Sequence, residues 1–576
     1  MLKPKVVAAV DFGTHATGYA WSVISPKNED AKQRHIIYNT RWLSQPVPYP
    51  KNLTALLVDE NRDPISWGYD ARKQFQTRRS DSLRFIRGFK MGLLKPRSEE
   101  ALPAGEASST EGLPLSTGEL ITAYLRYVYA LAVDEISRSG YKEEEIRWCV
   151  TVPAIWDDYQ KQAMRESAVA AGFPGDSTRL IFAIEPEAAA HYARIAGLRT
   201  LSATAGKRAS LLSPGSRFMV VDCGGGTVDI TAYRANSQSK LIEIGNDHGG
   251  PLGSEYVNRY FVDQVLSRKF GSYDTLASII EAAPRAFLDM LDVWERTKVA
   301  SGQELDEIFI PLPLAVDRLL SDTVRDRLAE EQSGITDHLV ITAEEAAQCF
   351  ESVLPGILQL VDRQLADMPS TKYRLKSPEI IVLVGGFARS AYLQRRLTDH
   401  VGERAELLVP GDPELAVLVG AAHFAYSPQT RARRTRFTYG CETSRPFRDG
   451  IDPLNSLRTV DGERHCVEHF DAFVKSSDIV EVGHSVTRKY VPLYDESTDV
   501  EMVIYRTRSR SPRYSTDPGS QRVGSVSVDL TSVMHLPRSE RSVVVTMHFG
   551  DTELRVSAAL SQTGKTVDAT LQFDPA

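Results

Sequence analysis

The chain has 576 residues, a formal net charge of -7, 42% hydrophobic residues and 25% charged residues. This composition is ordinary for a globular protein, and the length predicts about three to four domains. The negative charge disfavours a general nucleic-acid binder, and no apolar run reaches the roughly 18 residues of a spanning helix. Five scattered cysteines without zinc-ligand spacing favour reduced thiols and a cytoplasmic protein that does not bind membranes.

The first third of the chain is predicted to begin with a hairpin around a glycine turn. Its strands are Val6–Val10 and Tyr19–Ile24, joined by a turn that starts Asp-Phe-Gly-Thr-His. Apolar spacing and stop signals then predict three helices and two buried strands. These are Glu119–Ser139, Ile146–Val152, a helix from Asp157 or Asp158 to Ala171, and Leu180–Ile184 followed by an alanine-rich helix. Residues 97–117 and 200–216 have the composition of exposed insertions.

The middle of the chain repeats the first device. Val220 and Val221 end an apolar strand, and Asp222 precedes three consecutive glycines, Gly224–Gly226. Glycines without side chains let backbone amides close on an anion, and a neighbouring carboxylate can hold a metal or its waters. Two copies of one phosphate device predict a duplicated domain that clamps a nucleotide. Alone, this stretch could equally be a glycine-rich turn with a stray acid.

The elements that follow alternate between strands and helices up to residue 426. The predicted segments are strand Leu241–Gly245, glycine loop Gly249–Gly253, helices Ser254–Lys269 and Arg285–Ala300, strand Ile308–Leu312, one long helix Thr342–Met368, strand Ile380–Val384 with a third glycine motif, strand Leu407–Val409 and a buried helix within Gly411–Tyr426.

Beyond Tyr426 the pattern changes from mixed to alternating. Ser427–Arg436 is polar and arginine-rich and is predicted to be a linker, with the domain boundary near residue 430. Alternating runs separated by turn residues then predict an all-β sandwich. The runs are Asp478–Val482, Val500–Tyr505, Val523–Leu530, Ser542–Phe549, Glu553–Leu560 and Val567–Phe573.

Several familiar motifs are absent or weak. The chain contains no Walker-type loop and no dinucleotide fingerprint, and Thr563–Lys565 is predicted to be a hairpin turn. The basic run Arg506–Arg513 lacks interleaved aromatic residues, so a solvated loop is favoured over a nucleic-acid site.

Taken together, the three glycine motifs resemble the two phosphate motifs and the adenosine motif of the actin-like ATPase superfamily. The match is closest to the heat shock protein 70 family. Thr151–Ala154 and Ile184–Ala190 resemble its first interlobe stretch, Trp294–Lys298 its adenine-embracing helix, and Pro413–Ala422 its second interlobe stretch. The final β-runs resemble the end of its peptide-binding β-domain, although more weakly.

The resemblance implies roles for matching residues. Asp11 and Asp222 would hold Mg²⁺ through water, and Lys90 would neutralise the γ-phosphate. Glu185 and Asp229 would position the attacking water or an associated K⁺. The phosphate ligands would be Gly13, Thr14, Gly224, Gly225, Gly226 and Thr227, and the adenosine ligands Glu295, Lys298, Gly385, Gly386, Arg389 and Glu414. Apart from the resemblance, His15 lies in the first phosphate loop, where it could donate to a phosphate or be a tolerated loop residue.

Some positions depart from the family pattern. The adenosine-contacting serine falls on Gly302, with Ser301 beside it, and the interlobe acid is Glu414 where aspartate is usual. The apolar linker, a helical lid and the acidic tail are missing. This pattern resembles the divergent, lid-less branch of the family.

The predicted fold is therefore a duplicated, two-lobed α/β actin-like ATPase (ribonuclease H-like) domain followed by a β-sandwich. Lobe I covers 1–215 with 412–427, lobe II covers 216–411, and the β-domain covers 428–576. The predicted function is a slow ATPase with chaperone-like behaviour, binding ATP or ADP, Mg²⁺, client polypeptides and a nucleotide-exchange partner. Two alternatives stay open: a sugar-type kinase of the same superfamily, and a nucleotide-sensing scaffold that does not hydrolyse ATP.

Overall fold

In the computed structural model the described residues are 3–78, 80, 82–94, 115–196, 198–200, 211, 214–237, 240–300, 302–368, 379–428, 430–550, 552–561, 566–567 and 572–573. Most of the two predicted insertions, Ser301 and the turn at Thr563–Lys565 lie outside them. The chain divides into two compact units. The first comprises Met1–Ile155, Ala163–Ala232 and Asp247–Pro428, and the second comprises Trp156–Gln162, Tyr233–Asn246 and Gln429–Ala576.

The first unit contains two mixed sheets, each built on a hairpin with a glycine turn. One sheet has the order Ile37–Tyr38, Ala16–Val23, Val6–Phe12, Ile146–Val152, Leu180–Ile184, with Asn52–Leu53 also paired to Ala16–Val23. The other has the order Leu198–Thr200, Ala405–Pro410, Glu379–Val384, Arg217–Cys223, Val228–Ala235. In both, the first strand of the hairpin pairs in parallel with the strand on its other side. The two copies of the strand–Asp–glycine device therefore each lie in a hairpin of a mixed sheet.

Two smaller sheets complete the strands of this unit. They are Pro64–Trp67, Ala55–Val58, Arg84–Arg87, and the pair Ile308–Pro311 with His338–Ile341. The central strands are fully buried, because runs of valine, alanine and isoleucine pack on both faces of each sheet.

Helix boundaries follow the signals in the sequence closely. Glu119 and Ser116 form a capping box at the start of one helix, and Gly172 takes a left-handed φ of 118° just after another. The helices are Gly68–Thr77, Thr117–Arg138, Asp158–Ala171, Glu185–Ala193, Ser254–Tyr260, Ser267–Lys269, Tyr273–Ala282, Pro284–Ala300, Leu314–Asp317, Asp322–Glu331, Ala343–Glu351, Leu354–Asp367, Ala391–Val401 and Ala416–Tyr426, with π-helix Phe261–Leu266. Among those described, none combines the length and apolar character that crossing a bilayer requires.

Two predictions about this unit were wrong in detail. The predicted helix Thr342–Met368 is two helices, Ala343–Glu351 and Leu354–Asp367. Pro355 lies in the first turn of the second helix, where its missing N–H would be unpaired anyway, so the chain breaks and restarts there. Gly249 and Gly250 belong to strand Leu241–Gly250 and not to a loop.

The second unit is rich in β-structure. One sheet has the order Leu457–Val460, Glu463–Val474, Thr438–Pro446, Asp499–Thr507, Gln521–Asp529, Gln572–Phe573. Another has the order His484–Tyr490, Val543–Phe549, Arg555–Leu560, Thr566–Val567. Apolar residues of both sheets share one core cluster, which includes Ile504, Val528 and Val545.

The arginine-rich segment is not an irregular linker as predicted. Thr430–Arg434 is a strand that pairs with Ile479–Glu481 and with the start of Leu241–Gly250. Its Arg433 is buried and donates to Thr552 Oγ1 at 2.9 Å. The predicted basic loop is also shorter than expected, because strand Asp499–Thr507 includes Arg506, which is buried. All five cysteines are buried and free.

Candidate functional site

The first glycine loop joins two paired strands, and a residue from a later segment, Thr54, holds it in place. Val6–Phe12 and Ala16–Val23 pair so that Asp11 lies opposite Gly18. Thr54 fixes the turn between them from both sides, since its Oγ1 donates to Gly13 O at 2.7 Å and its N–H donates to His15 O at 2.9 Å. The turn therefore has a defined shape before any ligand binds.

The second glycine loop is closed on itself and supported from behind. Gly224 N donates to Thr227 O at 3.0 Å. Ser254 N donates to Gly224 O at 3.1 Å and Glu255 N donates to Gly225 O at 2.9 Å. Gly253 makes this support possible, because a Cβ there would lie 2.1 Å from Gly225 O. The start of helix Ser254–Tyr260 thus positions the loop.

The two glycine loops meet face to face. A Cβ on Gly226 would lie 2.5 Å from Thr14 Oγ1, and a Cβ on Gly225 would lie 3.0 Å from His15 Cβ. His15 Nδ1 also pairs with Glu255 Oε1 at 2.6 Å. Burial alone would lower the pKa of His15, but the hydrogen bond and charge of Glu255 outweigh it and raise that pKa above its ordinary value.

Carboxylates from both halves of this unit converge beside the loops. Lys90 Nζ donates to Glu185 Oε1 at 2.8 Å, and Asp229 Oδ1 accepts the Ile155 N–H at 2.9 Å. Burial, with the charges of Asp229 and Asp11, raises the pKa of Glu185 to about 7 despite the opposing effect of Lys90. Burial and the neighbouring acids likewise raise the pKa of Asp222 well above its ordinary value. These groups are electrostatically coupled and lie in one centre.

Lys51, which no motif predicted, forms an ion pair with the Asp11 carboxylate. Its Nζ lies 2.6 Å from Asp11 Oδ2, and both side chains are buried, while Thr151 Oγ1 lies 3.3 Å from Asp11 Oδ1. Burial disfavours the charge on Lys51, but Asp11 and Asp222 outweigh it and raise its pKa above the ordinary range.

Carboxylates are suitable donors for Mg²⁺, and Asp222 has the chemistry that the prediction requires. Both Asp11 oxygens have contacts within the protein, one of them with an ammonium group. The water-mediated Mg²⁺ role of Asp11 stays a prediction.

The third glycine motif approaches the centre through its backbone. Gly385 takes a φ of 92° and donates its N–H to Pro413 O at 2.9 Å. A Cβ there would lie 2.5 Å from Asp222 Oδ1, so only glycine fits. Arg389 Nη1 lies 3.6 Å from Glu414 Oε1, and the buried Glu414 Oε2 has no hydrogen-bond partner among the described residues. Gly386, between them, is exposed.

Lys298, a predicted adenosine ligand, is buried and makes three contacts within the protein. It donates to Ser254 O at 3.2 Å, to Asn258 Oδ1 at 2.7 Å and to Glu295 Oε2 at 2.8 Å. These three contacts match the three donor hydrogens of a lysine, and its adenosine role stays a prediction. Lys298 therefore ties helix Pro284–Ala300 to helix Ser254–Tyr260.

Four residues of this centre escaped the sequence analysis: Lys51, Thr54, Glu255 and Asn258. Glu255 carried a weak signal, since it follows the noted glycine loop by two residues. The others lie in segments without a glycine or acidic motif, so nothing in the sequence marked them.

Comparison with known proteins finds relatives over the whole chain. It is 29% identical over 637 residues to heat shock 70 kDa protein 12B of Homo sapiens, covering 99% of this chain and 91% of that protein. It is 27% identical over 639 residues to heat shock 70 kDa protein 12A of Homo sapiens, with the same coverage. A chaperone protein HscA homolog of Ralstonia pickettii is 28% identical over 285 residues, which are 49% of this chain and 37% of that protein. No family model matches the sequence.

Proposed function

Because this chain is a relative of the heat shock protein 70 family, as its motifs predicted, we propose that it binds ATP between two lobes and hydrolyses it slowly. The observation that carries the proposal is the convergence of two glycine loops, four carboxylates and two lysines in one centre. The lobes are 1–215 with 412–427, and 216–411.

The phosphates would be bound at the meeting point of the two glycine loops. Loops that expose backbone amides and lack side chains are suited to oxygen anions. Thr14 and Thr227 add hydroxyl groups at this point, and both are buried. His15 in the first loop pairs with Glu255, which lies in the helix that supports the second loop. This pair would couple nucleotide binding to lobe closure.

Hydrolysis would depend on Glu185, Asp229 and Lys90. A carboxylate with a pKa of about 7 can accept a proton from water near neutral pH, so Glu185 is the best candidate for a general base. Lys90 holds this carboxylate at 2.8 Å and would also supply positive charge for the transferred phosphoryl group. The Lys90–Glu185 ion pair supports slow turnover, because Glu185 must leave Lys90 before it can accept a proton from water.

Adenosine would lie along Gly385, Gly386 and Arg389, with Glu295 and Glu414 as acceptors. The unpaired Oε2 of Glu414 supports this assignment, because a buried carboxylate oxygen is costly without a donor. Ribose hydroxyl groups are donors of the required kind.

The second unit would bind a client polypeptide. Its two sheets and their shared apolar core support a β-sandwich over 428–576, and the nucleotide state would control the affinity of this domain and of an exchange partner. The proposed place of action is the cytoplasm.

Measurement of ATP binding and of phosphate release, with and without a panel of sugars, tests the proposal. We expect slow, sugar-independent release that Lys90→Ala reduces by about 100-fold, the usual scale for a group that stabilises transferred charge. The exposed Lys5→Ala is the matched control and leaves release unchanged. Sugar-dependent formation of ADP would indicate a kinase, and tight binding without phosphate release would indicate a scaffold.

A further inference from the structure

The Lys51 ammonium group is paired with Asp11, one of the two acids predicted to hold a divalent cation. Asp11 is the penultimate residue of the first hairpin strand, Val6–Phe12, and Asp222 is the penultimate residue of Arg217–Cys223 in the second sheet. The two acids therefore hold equivalent positions in two similar hairpins. Lys51 pairs with Asp11 at 2.6 Å, and its charge interacts with Asp222. One fixed positive group therefore serves both acids.

An ammonium group and a magnesium ion are alternatives at such a position. Each attracts phosphate oxygens, but the lysine is part of the chain and needs no loading. Among the described residues Lys51 donates one hydrogen bond, to Asp11 Oδ2, and a lysine has three donor hydrogens. Two donors therefore remain for the oxygens of a bound phosphate.

Burial makes this arrangement durable. The Lys51 side chain is 12% exposed and the Asp11 side chain 5% exposed, so neither is solvated well enough to separate without cost. A divalent cation entering the site would have to displace the lysine from Asp11 and leave a buried ammonium group without its partner. The pair therefore competes with the metal.

We propose that Lys51 replaces the divalent cation in nucleotide recognition, so that this chain binds ATP without requiring Mg²⁺. The inference rests on the proposed ATP site and specifies how that site neutralises the phosphates. It also identifies Lys51 as a binding residue that the sequence motifs did not reveal.

The test is calorimetric titration of the full chain with ATP, in excess EDTA and in millimolar Mg²⁺. We expect affinities that agree within about threefold, less than the tenfold that corresponds to one charged hydrogen bond. Loss of about tenfold or more in EDTA would overturn the inference while leaving the proposed function intact. Absence of ATP binding in both buffers would overturn the proposed function, and this inference with it.

Lys51→Met provides the second arm, since it removes the charge and keeps the length of the side chain. In EDTA it should weaken ATP binding by about tenfold or more, and Mg²⁺ should restore the affinity because Asp11 becomes available. Lys5→Met removes a surface lysine that is paired with Glu145, and it should bind ATP like the unmodified chain. A Lys51→Met protein with unchanged affinity in EDTA would contradict the proposed role.

Discussion

Gly253 should control ATP binding although it belongs to none of the three glycine motifs. An alanine Cβ at this position would lie 2.1 Å from Gly225 O and 2.4 Å from Gly225 C, and ordinary contact begins near 3.4 Å. The loop must therefore retreat by about 1.3 Å, because backbone atoms in a close-packed site have no rotamer to escape into. The φ of Gly253 is -71°, so alanine adds no backbone strain and the effect is displacement alone.

A displacement of this size has a predictable cost. Misplacement of a positioned group by about 1 Å can cost about 100-fold in reaction rate, and overpacking costs about 1–3 kcal/mol of stability. We therefore expect Gly253→Ala to weaken ATP binding by at least about tenfold in calorimetric titration. Thermal denaturation should show a cooperative transition, which indicates that the variant is folded.

Gly250→Ala is the matched control, because its Cβ would lie 3.5 Å from Leu252 Cδ1, an ordinary contact. This variant should bind ATP within about twofold of the unmodified chain, well below the energy of one hydrogen bond. If folded Gly253→Ala binds ATP normally, or if both variants lose equal affinity, the assignment of residues 224–227 to the phosphates is refuted.

Two further predictions concern charge. Glu185 has a folded-state pKa of about 7 against an ordinary 4.5, so its contribution to stability is present below pH 4.5 and is lost as pH rises to 7. The loss is about 3 kcal/mol at most. The free energy of unfolding of Glu185→Gln, measured in urea, should therefore depend less on pH, and an unchanged dependence would refute the raised pKa. Arg506→Met should cost about 3 kcal/mol in urea unfolding of the second unit, because the buried Arg506 lies with its Nη2 3.1 Å from Oδ2 of the largely covered Asp157. The exposed Arg513→Met should cost little, and equal effects of the two substitutions would argue against this ion pair.

Local signals in the sequence determined most element positions in the first unit. Periodic apolar residues with capping and stop residues gave strands such as Ile146–Val152 and Leu180–Ile184 to the residue. Predictions of secondary structure failed where one or a few residues altered the apolar pattern of a segment. Pro355 divided a continuous apolar helix, and the arginines of Thr430–Arg434 concealed a strand, since a buried arginine looks like a solvated one in a sequence.

The motif-bearing residues of the candidate site could be nominated from the sequence, since glycine loops with adjacent acids are contiguous in the chain. Lys90 was nominated through the family resemblance, and its contact with Glu185 emerged only from the structure, so its role stays a prediction. The family resemblance rested on the same contiguous stretches, and relatives along the whole chain bear it out.

What only the tertiary structure decided is which partner each charged group has. Lys51 lies 40 residues from Asp11 in sequence, and His15 lies 240 residues from Glu255. No periodicity or spacing encodes such pairs, because they depend on how two sheets and their helices pack. Burial then fixes them, since a charge removed from water requires a nearby partner. The acids that the sequence identified as metal ligands are thus found around a lysine.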